Sequence, residues 1–106
     1  MRFGALEAGG TKMVCAVGDE NGKIVEQTSI PTTDPEHTMP LIEDYFKDKD
    51  IAALGVACFG PIDLNRDSVT YGYITSTPKT AWKNYNIVGE LADKLKIPVG
   101  FETAVN

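Results

Sequence analysis

The chain has 106 residues, 42% of them hydrophobic, which is one domain's worth of sequence with enough apolar side chains for a single core. Fifteen acidic against ten basic residues leave a net charge of −5, and no Lys/Arg cluster offsets it, which argues against a nucleic-acid or anionic membrane surface. No apolar run is long enough to span a bilayer, and no secretory leader is expected, because Met1 leads almost directly into a strand pattern.

Phe3 and Ala5, and then Val14, Ala16 and Val17, form short apolar segments of the kind that become buried strands. Gly9-Gly10 between them is a hairpin signal, since glycine reaches positive φ without a side-chain clash. A hairpin explains the glycines but not Glu7 before them, nor Thr11 and Lys12 after them. Two residues without side chains let an anionic group approach backbone N–H donors, and a hydroxyl and an ammonium add donors and charge. The order is not that of a Walker A loop, and no G-x-G-x-x-G occurs in the chain. On spacing alone, an anion-binding turn and a plain hairpin with solvated Glu7 and Lys12 stand side by side.

Asn21-Gly22 is the strongest short hairpin signal in the sequence and leads into a third strand, with Ile24, Glu26, Thr28 and Ile30 on one face. The pattern then turns helical. Asp34 and Pro35 suit the N-cap and first helical position, and Met39, Ile42, Tyr45 and Phe46 make an apolar stripe. Pro40 removes a hydrogen bond from a helix interior, so the regular helix is expected to begin near Pro40 or to be distorted in its first turns. His37, the only histidine, reads as a surface residue and not as part of a nucleophile relay.

Residues 51–61, "IAALGVACFGP", are a nearly continuous apolar run, as in a central strand covered on both faces. One more short strand and a polar loop fill "VTYGYITSTPKTAW". A second helix follows, capped by Asn84 or Asn86, with Ile87, Val88, Leu91 and Leu95 buried, and then a final strand from Val99 to Phe101. Cys15 and Cys58 sit in separate apolar runs without zinc spacing, and read as reduced core residues of a cytoplasmic protein. Three antiparallel strands followed by helix, strand, helix, strand make an α/β fold with a mixed sheet. That is the ribonuclease-H-like topology, shared by one lobe of the actin and sugar-kinase architecture.

Four blocks carry a family resemblance: "EAGGTKMVCAVG" (7–18), "GVACFGPID" (55–63), "YGYITSTPKTAW" (71–82) and "IPVGFETAVN" (97–106). In order and spacing they resemble the N-terminal lobe of ROK-family sugar kinases, and "YGYITSTPK" is similar to the bacterial fructokinase branch. The resemblance implies transfer of the γ-phosphoryl of ATP to the 6-hydroxyl of fructose, with mannose as a second acceptor. It implies that Gly9, Gly10, Thr11 and Lys12 approach the triphosphate and that Glu7 holds Mg²⁺ through water, as suits a cation that keeps most of its hydration. Glu7 stands where many ROK kinases carry Asp.

On the sugar side, the resemblance implicates Gly60 and Pro61, the loop Thr77, Pro78 and Lys79, and then Glu102, Thr103 and Asn106. Lys79 departs from the Asn common in glucose-type relatives. Trp82 reads as a core or rim aromatic ahead of a ligand contact, and Asp63 as a turn cap. Ala104 occupies the position of the family's aspartate general base, and alanine cannot accept a proton. The resemblance also implies a C-terminal lobe carrying the nucleotide-ring contacts and a structural Zn²⁺, so residues 1–106 read as an N-terminal lobe truncated before it and inactive alone. A cytoplasmic homodimer is expected. Two other readings remain: a non-catalytic sugar-binding regulator of the same family, and an isolated half-domain that associates with itself.

Overall fold

Alternating burial along the first strand sets the geometry. In β1 (Arg2–Ala8), Gly4, Leu6 and Ala8 are buried while Phe3, Ala5 and Glu7 are exposed, so one face meets a core and the other does not. The computed structural model describes residues 1–58, 67–69, 73–74 and 80–103, with backbone alone at 58, 80 and 101–103. β1 pairs antiparallel with β2 (Lys12–Asp19), which pairs antiparallel with β3 (Ile24–Pro31). On its other side β1 pairs parallel with β4 (Ile51–Cys58), which pairs parallel with β5 (Val99–Thr103). The sheet order is β3-β2-β1-β4-β5, the mixed α/β arrangement expected of a ribonuclease-H-like lobe.

The β2–β3 turn forms as its sequence predicts. Gly22 takes φ 82°, and the Asp19 carboxylate accepts from the N–H groups of Asn21 and Lys23 at 2.9 and 3.0 Å. A register shift at Val25 corrects the expected single face of β3. Glu26 pairs with the buried Val17, but Ile24 pairs with Gly18 on the opposite face and stays exposed.

α1 (Pro35–Lys47) starts at the Asp34–Pro35 pair that the sequence marks as its cap and runs through Pro40, so the alternative of a start near Pro40 is not found. The cap explains the early start: Asp34 Oδ1 accepts from the His37 N–H at 2.9 Å, and the Asp34 carbonyl accepts from the Thr38 N–H at 2.8 Å. Pro40 forgoes a single helical bond on the exposed side of the helix, while Met39 and Ile42 beside it are buried. His37 is exposed, and its Nδ1 lies 2.7 Å from Asp34, which raises the imidazole pKa.

In α2 (Ile87–Leu95), Asn86 is the cap, accepting from the Gly89 N–H at 2.9 Å, while Asn84 takes the left-handed conformation of the preceding turn. Both crossovers, β3-α1-β4 and β4-α2-β5, step the same way across the sheet. Right-handed connections therefore place both helices on one face. This corrects the expectation that β4 is covered on both sides: Leu54 and Val56 are buried, but Gly55 is exposed on the face the helices leave open.

The core joins Leu6, Met13, Cys15 and Val17 of the sheet to Ile42 and Phe46 of α1 and Ile87 and Leu91 of α2. Each such side chain contributes about 1.5–3 kcal/mol when fully buried. Burial pushes the Cys15 thiol up to about 12, so it stays protonated and inert, as a reduced core cysteine should. The side chain of Cys58 lies outside the described residues. No helix among the described residues is long and apolar enough to cross a membrane.

Candidate functional site

β1, β3, β4 and β5 run in one direction, so Ala8, Pro31, Cys58 and Thr103 end at the same edge of the sheet. Open α/β sheets place ligands outside these carboxyl ends. The turn Gly9–Thr11 lies at this edge, between β1 and β2. It is shaped otherwise than expected, since neither Gly9 nor Gly10 takes a positive φ, and among the described glycines it is Gly22 that does. Gly9 is needed for close approach: its N–H donates to the Lys12 carbonyl at 3.0 Å, and a Cβ there would lie 2.6 Å from that same oxygen.

Two further bonds reach the turn from the end of β3. Thr32 Oγ1 donates to the Gly9 carbonyl at 2.8 Å, and the Thr32 N–H donates to the Thr11 carbonyl at 3.0 Å. Thr32 was not among the residues singled out from the sequence. It lies 23 residues from Gly9, and a threonine after a strand carries no local sign of such a partner.

Glu7 is exposed on the open face of β1, one position before the strand ends. In register it faces Val14 on β2 and Ala57 on β4, and Ala57 in turn faces Glu102 on β5. The backbones of Glu7 and Glu102 therefore stand two strand spacings apart in one row, about 10 Å. A shallow groove of about 430 Å³ runs up to Glu7 between β1, β4 and β5, floored by Ala5, Gly55, Ala57 and Gly100. Glu7 has no ion-pair partner among the described residues, so its carboxylate is available to a cation. Thr11 and Lys12 are exposed beside the turn.

The structure thus brings Glu7, Gly9, Gly10, Thr11 and Lys12 to the edge where β4 and β5 also end. The backbones of Glu102 and Thr103 lie at that edge too, paired with Ala57 and Cys58. Gly60, Pro61, Asp63, Thr77, Pro78, Lys79, Ala104 and Asn106 lie outside the described residues. Trp82, in a short 3-10 turn (Thr80–Trp82), is wholly buried, with its indole N–H donating to the Thr33 carbonyl at 3.0 Å. It packs edge-on against Tyr85 at 5.5 Å, a core residue as the sequence suggested.

The sequence pattern of the ROK family matches residues 3–106. The chain belongs to the ROK family. Among curated relatives, the fructokinase of Lactococcus lactis subsp. cremoris is 51% identical over 104 residues, covering 98% of this chain and 36% of that protein. The fructokinase of Pediococcus pentosaceus is 47% identical over 106 residues, covering 100% of this chain and 37% of that protein. The chain therefore spans little more than a third of the length of these relatives. A ROK glucokinase from Streptomyces griseus, solved in complex with glucose and AMPPNP, superposes with a TM-score of 0.73 at 22% identity, covering 97% of this chain and 33% of that one. The superposition covers nearly all of the chain, and the ribonuclease-H-like reading of the fold stands.

Proposed function

We propose that the protein carrying this chain is a fructokinase, moving the γ-phosphoryl of ATP to the 6-hydroxyl of fructose, with mannose as a second acceptor. The observation that carries this reading is the identity of about half with fructokinases along nearly all of the chain. The geometry supports it: a carboxylate and a glycine turn share the edge where parallel strands end.

In this reading Gly9, Gly10, Thr11 and Lys12 receive the triphosphate. The glycines admit the phosphates, Thr11 offers a hydroxyl, and the Lys12 ammonium neutralises charge. Glu7 holds Mg²⁺ through its waters. The fit rests on the donor set: one exposed, unpaired carboxylate suits a cation that retains most of its hydration. Bound there, magnesium neutralises the charge that builds on the phosphoryl oxygens. The chain's own contribution is positioning, which dominates phosphoryl transfer.

Gly60, Pro61, Thr77, Pro78, Lys79, Glu102, Thr103 and Asn106 would form the sugar side, and position 104 would face the attacking hydroxyl. Residues 1–106 act in this reading as the N-terminal lobe. No residue of the chain is assigned to a zinc site or to the nucleotide ring. A cytoplasmic homodimer is proposed, the two-fold arrangement being the commonest assembly.

Ala104 favours a second reading, a ROK sugar sensor that binds without turnover. The experiment that separates the two is phosphorylation of fructose by the full-length protein with Ala and with Asp at 104. Turnover restored by Asp supports the kinase, and fructose binding without turnover in both supports the sensor.

A further inference from the structure

The glycine turn has a fastener outside its own hairpin. We infer that Thr32 is a positioning residue for the turn, holding Gly9–Lys12 in the conformation that receives the nucleotide's phosphates. The inference rests on the proposed role of that turn.

A peptide unit is planar and trans, so its C=O and the following N–H point in opposite directions. Thr32 Oγ1 binds the Gly9 carbonyl at 2.8 Å, and the Thr32 N–H binds the Thr11 carbonyl at 3.0 Å. With both carbonyls turned toward Thr32, the N–H groups of Gly10 and Lys12 are directed away from it. The Gly10 N–H has no partner among the described residues. Thr32 therefore fixes the direction of backbone donors it does not touch.

Thr32 is itself held. Its neighbour Thr33 donates its N–H to the Thr38 hydroxyl at 3.0 Å, and Thr38, wholly buried in α1, lies 3.1 Å from the Pro31 carbonyl. On the other side the Trp82 indole binds the Thr33 carbonyl at 3.0 Å. A half-buried threonine whose chain neighbours on both sides are tied to a buried helix residue and a buried tryptophan has a fixed backbone, and spends little entropy in holding the turn. Serine at 32 would keep the hydroxyl bond. Valine would keep the shape and the backbone bond, and leave the Gly9 carbonyl without this donor.

The test measures Mg·ATP and fructose binding by calorimetry on the full-length protein as wild type, Thr32→Val and Thr32→Ser. One net hydrogen bond corresponds to about a fivefold change in affinity. Thr32→Val is expected to weaken Mg·ATP about fivefold while fructose binding moves less than twofold, and Thr32→Ser is expected to bind both like wild type. An unchanged Mg·ATP affinity in Thr32→Val overturns the inference. So does equal weakening of both ligands, or a serine variant as weak as valine. Fructose phosphorylation is assayed on the same proteins carrying Asp at 104. No turnover together with a selective Thr32 effect on Mg·ATP overturns the kinase reading and leaves the positioning role intact. A wild type that binds no Mg·ATP overturns both.

Discussion

Glu43 on α1 and Glu90 on α2 line one pocket between the helices, and the Glu43 Oε2 is buried there without a hydrogen-bond donor. Burial, and then the charge of Glu90, push the Glu43 carboxyl up to about 7. A proton on Glu43 resolves the geometry, because the acid can donate to the Glu90 carboxylate where two carboxylates cannot bond. Lys94 acts against the shift and Asp44 reinforces it.

A carboxyl whose folded pKa is raised contributes stability that is fully present below its unfolded value and lost as pH rises through the folded value. Glu43 therefore costs stability progressively between about pH 4.5 and pH 7. Glu43→Gln keeps a donor toward Glu90 and does not titrate. Melting followed from pH 4.5 to 8 should show the variant gaining on the wild type as pH rises, by on the order of 5 °C at the upper end. A difference that stays constant with pH would refute the shared proton.

Gly9→Ala should disturb both the fold and the turn proposed to receive phosphates. The added Cβ meets the Lys12 carbonyl at 2.6 Å, and backbone cannot yield as a flexible side chain does. A stability loss of about 1–3 kcal/mol is expected from the forced shift. Urea unfolding measures it, and calorimetry with Mg·ATP should show weakened binding while fructose affinity is retained.

Thr38→Val isolates the brace beneath the turn. Valine matches the shape of threonine, but it leaves the Thr33 N–H and the Pro31 carbonyl without their shared hydroxyl. Both bonds are part-buried, and hydrogen bonds of this kind contribute about 0.5–1.5 kcal/mol each. A loss of about 2 kcal/mol is expected in urea unfolding. A change below about 0.5 kcal/mol would mean that water replaces the hydroxyl without cost.

The order of strands and helices along the chain, the cap at Asp34 and the core stripes of the helices were legible because each is written in local spacing. Asp34 carries its cap in the side chain itself, Asn86 was one of two candidates for the second, and the burial of Ile42 and Leu91 follows from periodicity, whereas Phe3 and Ala5, expected in a buried strand, lie on the exposed face of β1. Asp34 and Pro35 marked the start of α1, and only the reservation about Pro40 was misplaced, because the cap at Asp34 outweighs one lost bond. The open face of β4 was hidden because glycine and alanine read as apolar whether or not anything covers them. The register shift at Val25 has no signature in an alternating strand. At the candidate site, Glu7 and the glycine turn stood out by residue type alone. Thr32 did not, since its importance lies in a contact across 23 residues of sequence.

Ala104 bears most directly on the account. The ROK resemblance places an aspartate there as the base for the sugar hydroxyl, and a positioned general base contributes about 10²–10⁴ in rate. Its absence corresponds to roughly 3–5 kcal/mol of transition-state stabilisation. Fructose binding should suffer less, because the carboxylate acts chiefly as the proton moves. The measurement is ATP-dependent phosphorylation of fructose by the full-length protein with Ala and with Asp at 104, beside calorimetric fructose binding for both. The account predicts comparable binding and a turnover about a hundredfold or more faster for Ala104→Asp. Fructose bound equally well by both proteins, with the aspartate variant as inert as the alanine one, would contradict the kinase assignment.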